Sequence, residues 1–152
     1  MNYIDRLIKN GILAKEASPI KEFELRAHQL SDLSNIQQGI YIIEEINGDI
    51  EDTFKRFQDY KYKKERSCAK LNSPSAVMYV GSSTTGIKKR IEQHLGYGHK
   101  STYSLHLNHW FKGEFKIIIK QYNVSKEILQ IIEDDLSDRL KPAFGKKGGH
   151  NK

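Results

Sequence analysis

Gly39-Ile40-Tyr41-Ile42-Ile43-Glu44-Glu45-Ile46 is the stretch on which the fold turns. Ile40, Tyr41, Ile42 and Ile43 are β-branched or aromatic, so the run reads as a strand, and Asn47-Gly48-Asp49 behind it reads as a turn. Residues 76–81 predict a second strand after the Asn72-Ser73-Pro74-Ser75 turn, and residues 114–122 a third. Hydroxyls of Ser82, Ser83, Thr84 and Thr85 can cap a helix over about 86–95, which Gly96-Tyr97-Gly98 ends. Residues 101–111 predict another helix. Ser125 caps a last one, with the apolar stripe Ile128, Ile132, Leu136 and Leu140, and Pro142 closes it. The order strand, insertion, strand, helix, helix, strand, helix predicts a small α+β domain: a three-stranded sheet packed against helices.

Outward from this core, residues 1–38 read as a packing segment. Ile4, Leu7, Ile8 and Ile12 recur at helical spacing over 3–15, Ser18-Pro19 breaks the chain, and 23–33 reads as helical or irregular. The domain proper spans 39–145, with an insertion at about 50–73 that contains a helix over 52–64. Residues 146–152 form a basic tail. The insertion opens with Glu51 and Asp52, then turns basic with Lys55, Arg56, Lys61, Lys63, Lys64, Arg66 and Lys70, with Phe54, Phe57, Tyr60 and Tyr62 interleaved.

At 152 residues the chain is one domain, long enough to bury a core without crosslinks. A net charge of +6 and a pI near 9.3 suit an anionic partner. Cys68 stands alone, which excludes an internal disulfide framework or a cysteine metal cluster and makes a reducing cytoplasm the expected compartment. Asp5, Arg6 and Lys9 make the N-terminus unlike a secretory signal. No apolar run approaches the roughly 20 residues of a membrane span.

Several residues have the chemistry for cutting a phosphodiester, each with an ordinary reading beside it. Tyr41 and Tyr79 are two phenols in apolar strands; singly, each reads as a core tyrosine with one satisfied hydroxyl. Arg90 and His94 share a helix face four residues apart, and the arginine fork suits a phosphate. His94 could equally be a cap or surface residue. Glu133 lies at the edge of the buried face of the last helix, as a boundary acid or as a ligand for a hard divalent cation. Lys88 and Lys89 on the Arg90 helix, Lys61, Lys63 and Lys64 in the insertion, and Lys146 and Lys147 in the tail are candidate contacts to nucleic-acid phosphates. A solvated basic face is the plain alternative.

Gly39-Ile40-Tyr41, Tyr79-Val80-Gly81, Arg90 with His94, and Glu133 nine residues before Pro142 together resemble the GIY-YIG endonuclease family. The resemblance covers about 39–145. It implies a three-stranded antiparallel sheet flanked by helices, one Mg²⁺ or Mn²⁺ held by Glu133, and hydrolysis of double-stranded DNA. It further implies that Tyr41 orients or deprotonates the water, Arg90 stabilises the phosphorane charge, Tyr79 positions Tyr41, the water or the phosphate, and His94 shuttles a proton or contacts phosphate. Thirty-seven residues separate Tyr41 from Tyr79 where the family usually has about ten, so the basic segment resembles the insertions of its restriction-enzyme members. Gly145 stands where the family often has asparagine. Cutting both strands from one site would require a homodimer or sequential nicking. A GIY-YIG-fold module that binds nucleic acid without turnover is the alternative.

Overall fold

A computed structural model of the chain describes residues 1–146. Four strands, β1 (Lys21–Leu25), β2 (Gly39–Ile46), β3 (Val77–Ser83) and β4 (Glu114–Gln121), form one antiparallel sheet in the order β1-β4-β2-β3. Around it lie α1 (Tyr3–Glu16), α2 (Ile50–Tyr62), α3 (Ile87–Glu92) and α4 (Lys126–Leu140). The class is α+β, as the element order predicts.

The sheet has four strands rather than three. The extra strand, β1, comes from a segment that reads as helical or irregular; only the short Ala27–Leu33 stretch behind it is helical, and that is a 3₁₀ turn. Lys21-Glu22-Phe23-Glu24-Leu25 in fact alternates with period two. Phe23 and Leu25 face the core, while Glu22 and Glu24 lie outward, 3.4 and 3.3 Å from the ammonium groups of Lys120 and Lys116 on β4.

The sheet separates two cores, as the alternation of side chains along a strand requires. Tyr41, Ile43, Tyr79, Ile117 and Ile119 pack on one face against Ile87 and Ile91 of α3 and Phe57 and Tyr60 of α2. Ile40, Ile42 and Val80 pack on the other against Ile128, Leu129, Ile132 and Leu136 of α4. Leu140, expected in that stripe, is exposed. Gly39 is required at the start of β2, since a Cβ there would sit 2.7 Å from the Lys120 carbonyl oxygen and 2.9 Å from a methyl of Ile87.

The insertion is docked. Asp49 caps α2 through the amides of Glu51 and Asp52, and Phe57 packs against Phe144 and Trp110 with ring centroids 4.3 and 4.9 Å away. Its far end pairs with the loop after α3: the Ser67 amide donates to the Lys100 carbonyl at 2.7 Å, and the Ala69 amide to that of Ser104 at 3.1 Å. This pairing is why 101–111 is not the expected helix. Its backbone groups are used across the interface, His106 takes a left-handed conformation (φ 50), and only Leu107–His109 makes a 3₁₀ turn.

α1 forms as expected and rests on α4 through the small residues Ala14 and Ala17. Ile4, Leu7, Ile8 and Ile12, the residues that predict its buried face, are exposed. Among the described residues no helix is long and apolar enough to cross a membrane.

Candidate active site

Register places the two phenols. Tyr41 pairs with Gly81 and Ile43 with Tyr79, so Tyr41 and Tyr79 rise from the same face of neighbouring strands. Their rings are parallel within 4°, centroids 6.1 Å apart. The Tyr41 ring crosses directly over Gly81, where any Cβ would collide with its hydroxyl. The glycine of Tyr79-Val80-Gly81 is therefore a gap through which Tyr41 reaches past β3, the edge strand.

Arg90, near the end of α3, is held as a spread fork. It donates to the Gln93 side-chain carbonyl at 2.8 Å, the Tyr103 backbone carbonyl at 3.1 Å and the Tyr79 hydroxyl at 3.4 Å. It also lies close enough to the Tyr41 phenol to oppose the rise in its pKa.

His94 lies in the wider helical turn Gln93–Tyr97 that follows α3, and it is wholly buried. Its Nδ1 accepts the backbone N–H of Leu105 at 3.1 Å. An imidazole nitrogen that accepts a hydrogen bond carries no proton, so the proton of the neutral ring sits on Nε2. Nε2 is 3.0 Å from the Tyr41 oxygen and donates to it. Burial pushes the His94 pKa well below the usual histidine range, with Arg90 and His106 acting in the same sense, and the ring is neutral.

Glu133 arrives from the opposite face of the sheet. It sits on α4, which packs under Ile40, Ile42 and Val80, yet its buried side chain lines the same cavity as Ser82 of β3. Gln130, one turn earlier, donates its amide to Glu133 at 3.2 Å and to Asp134 at 3.0 Å. Burial raises the Glu133 pKa; the Ser82 and Gln130 side chains oppose the shift.

These groups line one cavity of about 160 Å³, formed by Tyr41, Tyr79, Gly81, Ser82, Arg90, Gln130, Glu133 and Lys146. His94 stands behind Tyr41 and outside the lining. Burial pushes the Tyr41 phenol well above its usual pKa, Tyr79 adds to this, and Arg90 opposes it. The neutral phenol is therefore the resting state of the site without a bound cation.

Of the candidate lysines, Lys146 reaches the cavity. Lys88 and Lys89 lie on α3 outside its lining. Lys61, Lys63 and Lys64 belong to the docked insertion, away from the cavity. Lys147 lies outside the described residues. Sequence reasoning missed Ser82 and Gln130. Gln130 had a readable signal, three residues before Glu133 on the same helix face; Ser82 had only its place directly after Gly81.

Gly145 has φ +102, and a Cβ there would come 2.7 Å from the Tyr79 ring. Asn72 fixes this turn from the insertion side, donating to the carbonyls of Gly145 at 2.8 Å and Pro142 at 3.1 Å.

Among the described residues no three His, Cys, Asp or Glu side chains gather as a metal cluster, and Glu133 is the one carboxylate lining the cavity. A buried carboxylate of this kind fits a hard ion such as Mg²⁺ or Mn²⁺, which binds through one or two carboxylates and takes its remaining ligands from water and substrate phosphate. Zinc, which favours three or four protein ligands, does not fit. No family model, curated protein or solved structure matches this chain.

Proposed function

We propose that this protein is a metal-dependent endonuclease that hydrolyses DNA phosphodiester bonds at the cavity between Tyr41, Arg90 and Glu133, with the GIY-YIG fold and division of labour. The observation that carries the reading is convergence. A pair of phenols and a guanidinium from one face of the sheet, and a carboxylate from the other, line one small cavity of about 160 Å³.

Hydrolysis needs a proton acceptor for the water and positive charge where the phosphorane develops. Tyr41 is the acceptor once its own proton has passed to solvent, so the phenolate is the working form. The His94 Nε2–H donates to its oxygen and the Arg90 charge stands beside it, and both interactions favour the phenolate. In this reading His94 acts as a fixed donor that never changes protonation state, not as a shuttle. Glu133 would hold Mg²⁺ or Mn²⁺, which supplies the positive charge that burial of Tyr41 otherwise lacks and polarises a non-bridging oxygen. Arg90 stabilises the equatorial charge, and Tyr79, bonded to Arg90, keeps the fork in place. As the water oxygen attacks phosphorus its proton passes to the Tyr41 phenolate; the P–O3′ bond breaks, and the departing 3′-oxygen takes a proton from solvent, leaving a 3′-hydroxyl and a 5′-phosphate.

The test is nicking of supercoiled plasmid with Mg²⁺ or Mn²⁺, wild type against Glu133→Ala. Nicking that needs the ion and is lost in the variant supports the reading. A second reading, a module that binds DNA without turnover, is favoured by Gly145 in place of asparagine and by the burial that holds the Tyr41 proton. Metal-independent binding with no nicking in the wild type would select it.

One cavity cuts one strand, so concerted cleavage of a duplex calls for a second copy. The exposed apolar stripe of α1 is the surface we assign to it. Tyr3, Ile4, Leu7, Ile8, Ile12, Leu13 and the nearby Ile20 are each 41–65% exposed. Scattered exposed apolar residues are ordinary, but six of these recur along one 14-residue helix, which is the kind of surface a partner copy covers.

A further inference from the structure

A second hollow, of about 440 Å³, lies between the end of the insertion and the loop after α3. Its walls carry Lys61, Lys64, Arg66 and Lys100, with Glu65 the one acid among the described residues that line it and Tyr103 at one end. The same loop serves both places. The Tyr103 carbonyl accepts a hydrogen bond from Arg90, and the Leu105 amide fixes the His94 ring. In the other direction Ser67 and Ala69 are hydrogen-bonded to Lys100 and Ser104, and Arg66 donates to the Gly98 carbonyl at 3.3 Å. The basic hollow and Arg90 are thus joined through one hydrogen-bonded segment, residues 98–105.

We propose that this hollow binds the sugar–phosphate backbone of the strand being cut, at a fixed distance from the scissile phosphate. Four cations facing one acid attract an anion, and lysine and arginine contacts to phosphate supply affinity without sequence information. A charged face spread evenly over a helix would be only a solvated surface. Here the cations come from two separate segments, meet across a concave wall, and are tied to Arg90. Tyr103 supplies a partly exposed ring where the hollow meets the Arg90 side. The inference rests on the nuclease reading for what lies at the other end of the loop, but the binding it describes does not require turnover.

The test uses Lys64→Asn combined with Lys100→Gln in the full chain. Both side chains are exposed and neither lines the catalytic cavity. Asparagine suits position 64, whose φ is 57. Binding of a fluorescent DNA duplex is measured without divalent metal across a salt series. The double variant should bind about tenfold more weakly at 150 mM salt, and its slope of log affinity against log salt should be shallower by about one to two. Lys9→Gln with Lys15→Gln on α1, which removes the same charge elsewhere, should leave the slope as in the wild type. An unchanged slope in the Lys64/Lys100 variant, an equal loss in the α1 control, or a wild type without salt-dependent binding overturns the proposal. If the slope falls as expected but the wild type never nicks with Mg²⁺ or Mn²⁺, the hollow stands and the nuclease reading falls. If the wild type nicks and the slope is unchanged, the reverse holds.

Discussion

Tyr41 and Glu133 line the same cavity although their elements pack on opposite faces of the sheet. Both reach it around β3, one over the missing side chain of Gly81 and the other past Ser82. An edge strand with a glycine at that register is what lets two separate cores contribute to one site. It also explains the electrical coupling of the pair: the Glu133 charge raises the Tyr41 pKa, so a cation between them relieves both.

The Leu105 amide determines what His94 can do. With Nδ1 accepting from that amide, the ring is a donor to Tyr41 and is held neutral far into acid. His94→Phe should lower the nicking rate by about 10²-fold, the cost of one lost donor at a charge-developing oxygen. His94→Gln, whose amide can still donate, should recover part of it. Log rate against pH should rise with about unit slope from pH 6 to 9 as Tyr41 deprotonates, with no inflection from an imidazole near 6.5. A histidine-like limb in that profile that disappears in His94→Gln would show a shuttle instead.

Glu133 sets stability against the proposed activity. Its pKa is raised in the folded protein, so the native state holds that proton more tightly than the unfolded chain. The stability from this group is fully present below the unfolded carboxyl pKa and is lost as pH rises through the folded value. At pH 7.5 without metal the ionised carboxylate therefore costs stability, and Glu133→Gln, which mimics the protonated form, should raise the melting temperature by about 2–4 °C. At pH 4 the difference should vanish. The same variant should lose metal-dependent nicking. A melting temperature that falls at pH 7.5 would mean that Arg90 and Ser82 already compensate the charge.

Much of the fold and of the site is legible in the amino-acid order alone, and the misreadings have physical causes. Taken singly, Tyr41, Tyr79, Arg90 and Glu133 have ordinary readings; they stand out only as an ordered series with Gly39-Ile40-Tyr41 and Tyr79-Val80-Gly81, and all four line one cavity. β1 escapes notice because its period-two alternation lasts only five residues and its partner β4 lies far along the chain. The segment 101–111 has a helical pattern of apolar residues, but their side chains are buried around a loop whose backbone bonds go to the insertion, and nothing local records such a long-range partner. His94 reads as an ordinary helix histidine because the amide that fixes its tautomer is eleven residues away.

Gly145 bears on whether an asparagine, which the resembled pattern often has here, could be accommodated. Its left-handed φ and the 2.7 Å approach to the Tyr79 ring leave no room for a side chain. Gly145→Asn should therefore not improve nicking. It should destabilise the fold by about 1–3 kcal/mol, as strain at such a position does, and slow nicking by displacing Tyr79 and with it Arg90. Gly145→Ala should share the loss, since the clash begins at Cβ. A gain of activity in Gly145→Asn at unchanged melting temperature would mean that this turn relaxes, and would count for the weakly active module.

The α1 stripe carries the prediction about assembly. A 14-residue helix is marginal in water by itself. α1 is anchored to α4 through small side chains, while its large ones face outward. Burial of each such side chain contributes about 1.5–3 kcal/mol, so pairing of two copies along this stripe is the most direct way to cover it. Light scattering on the eluting protein at micromolar concentration should give twice the monomer mass. Ile4→Lys with Ile8→Glu should return it to one, with the strand signals of the sheet unchanged in circular dichroism. On a plasmid, the wild type should then yield linear product early, and the monomeric variant nicked circles first. A wild type that runs as a monomer at every concentration, and still linearises plasmid without a nicked intermediate, would remove α1 from the assembly.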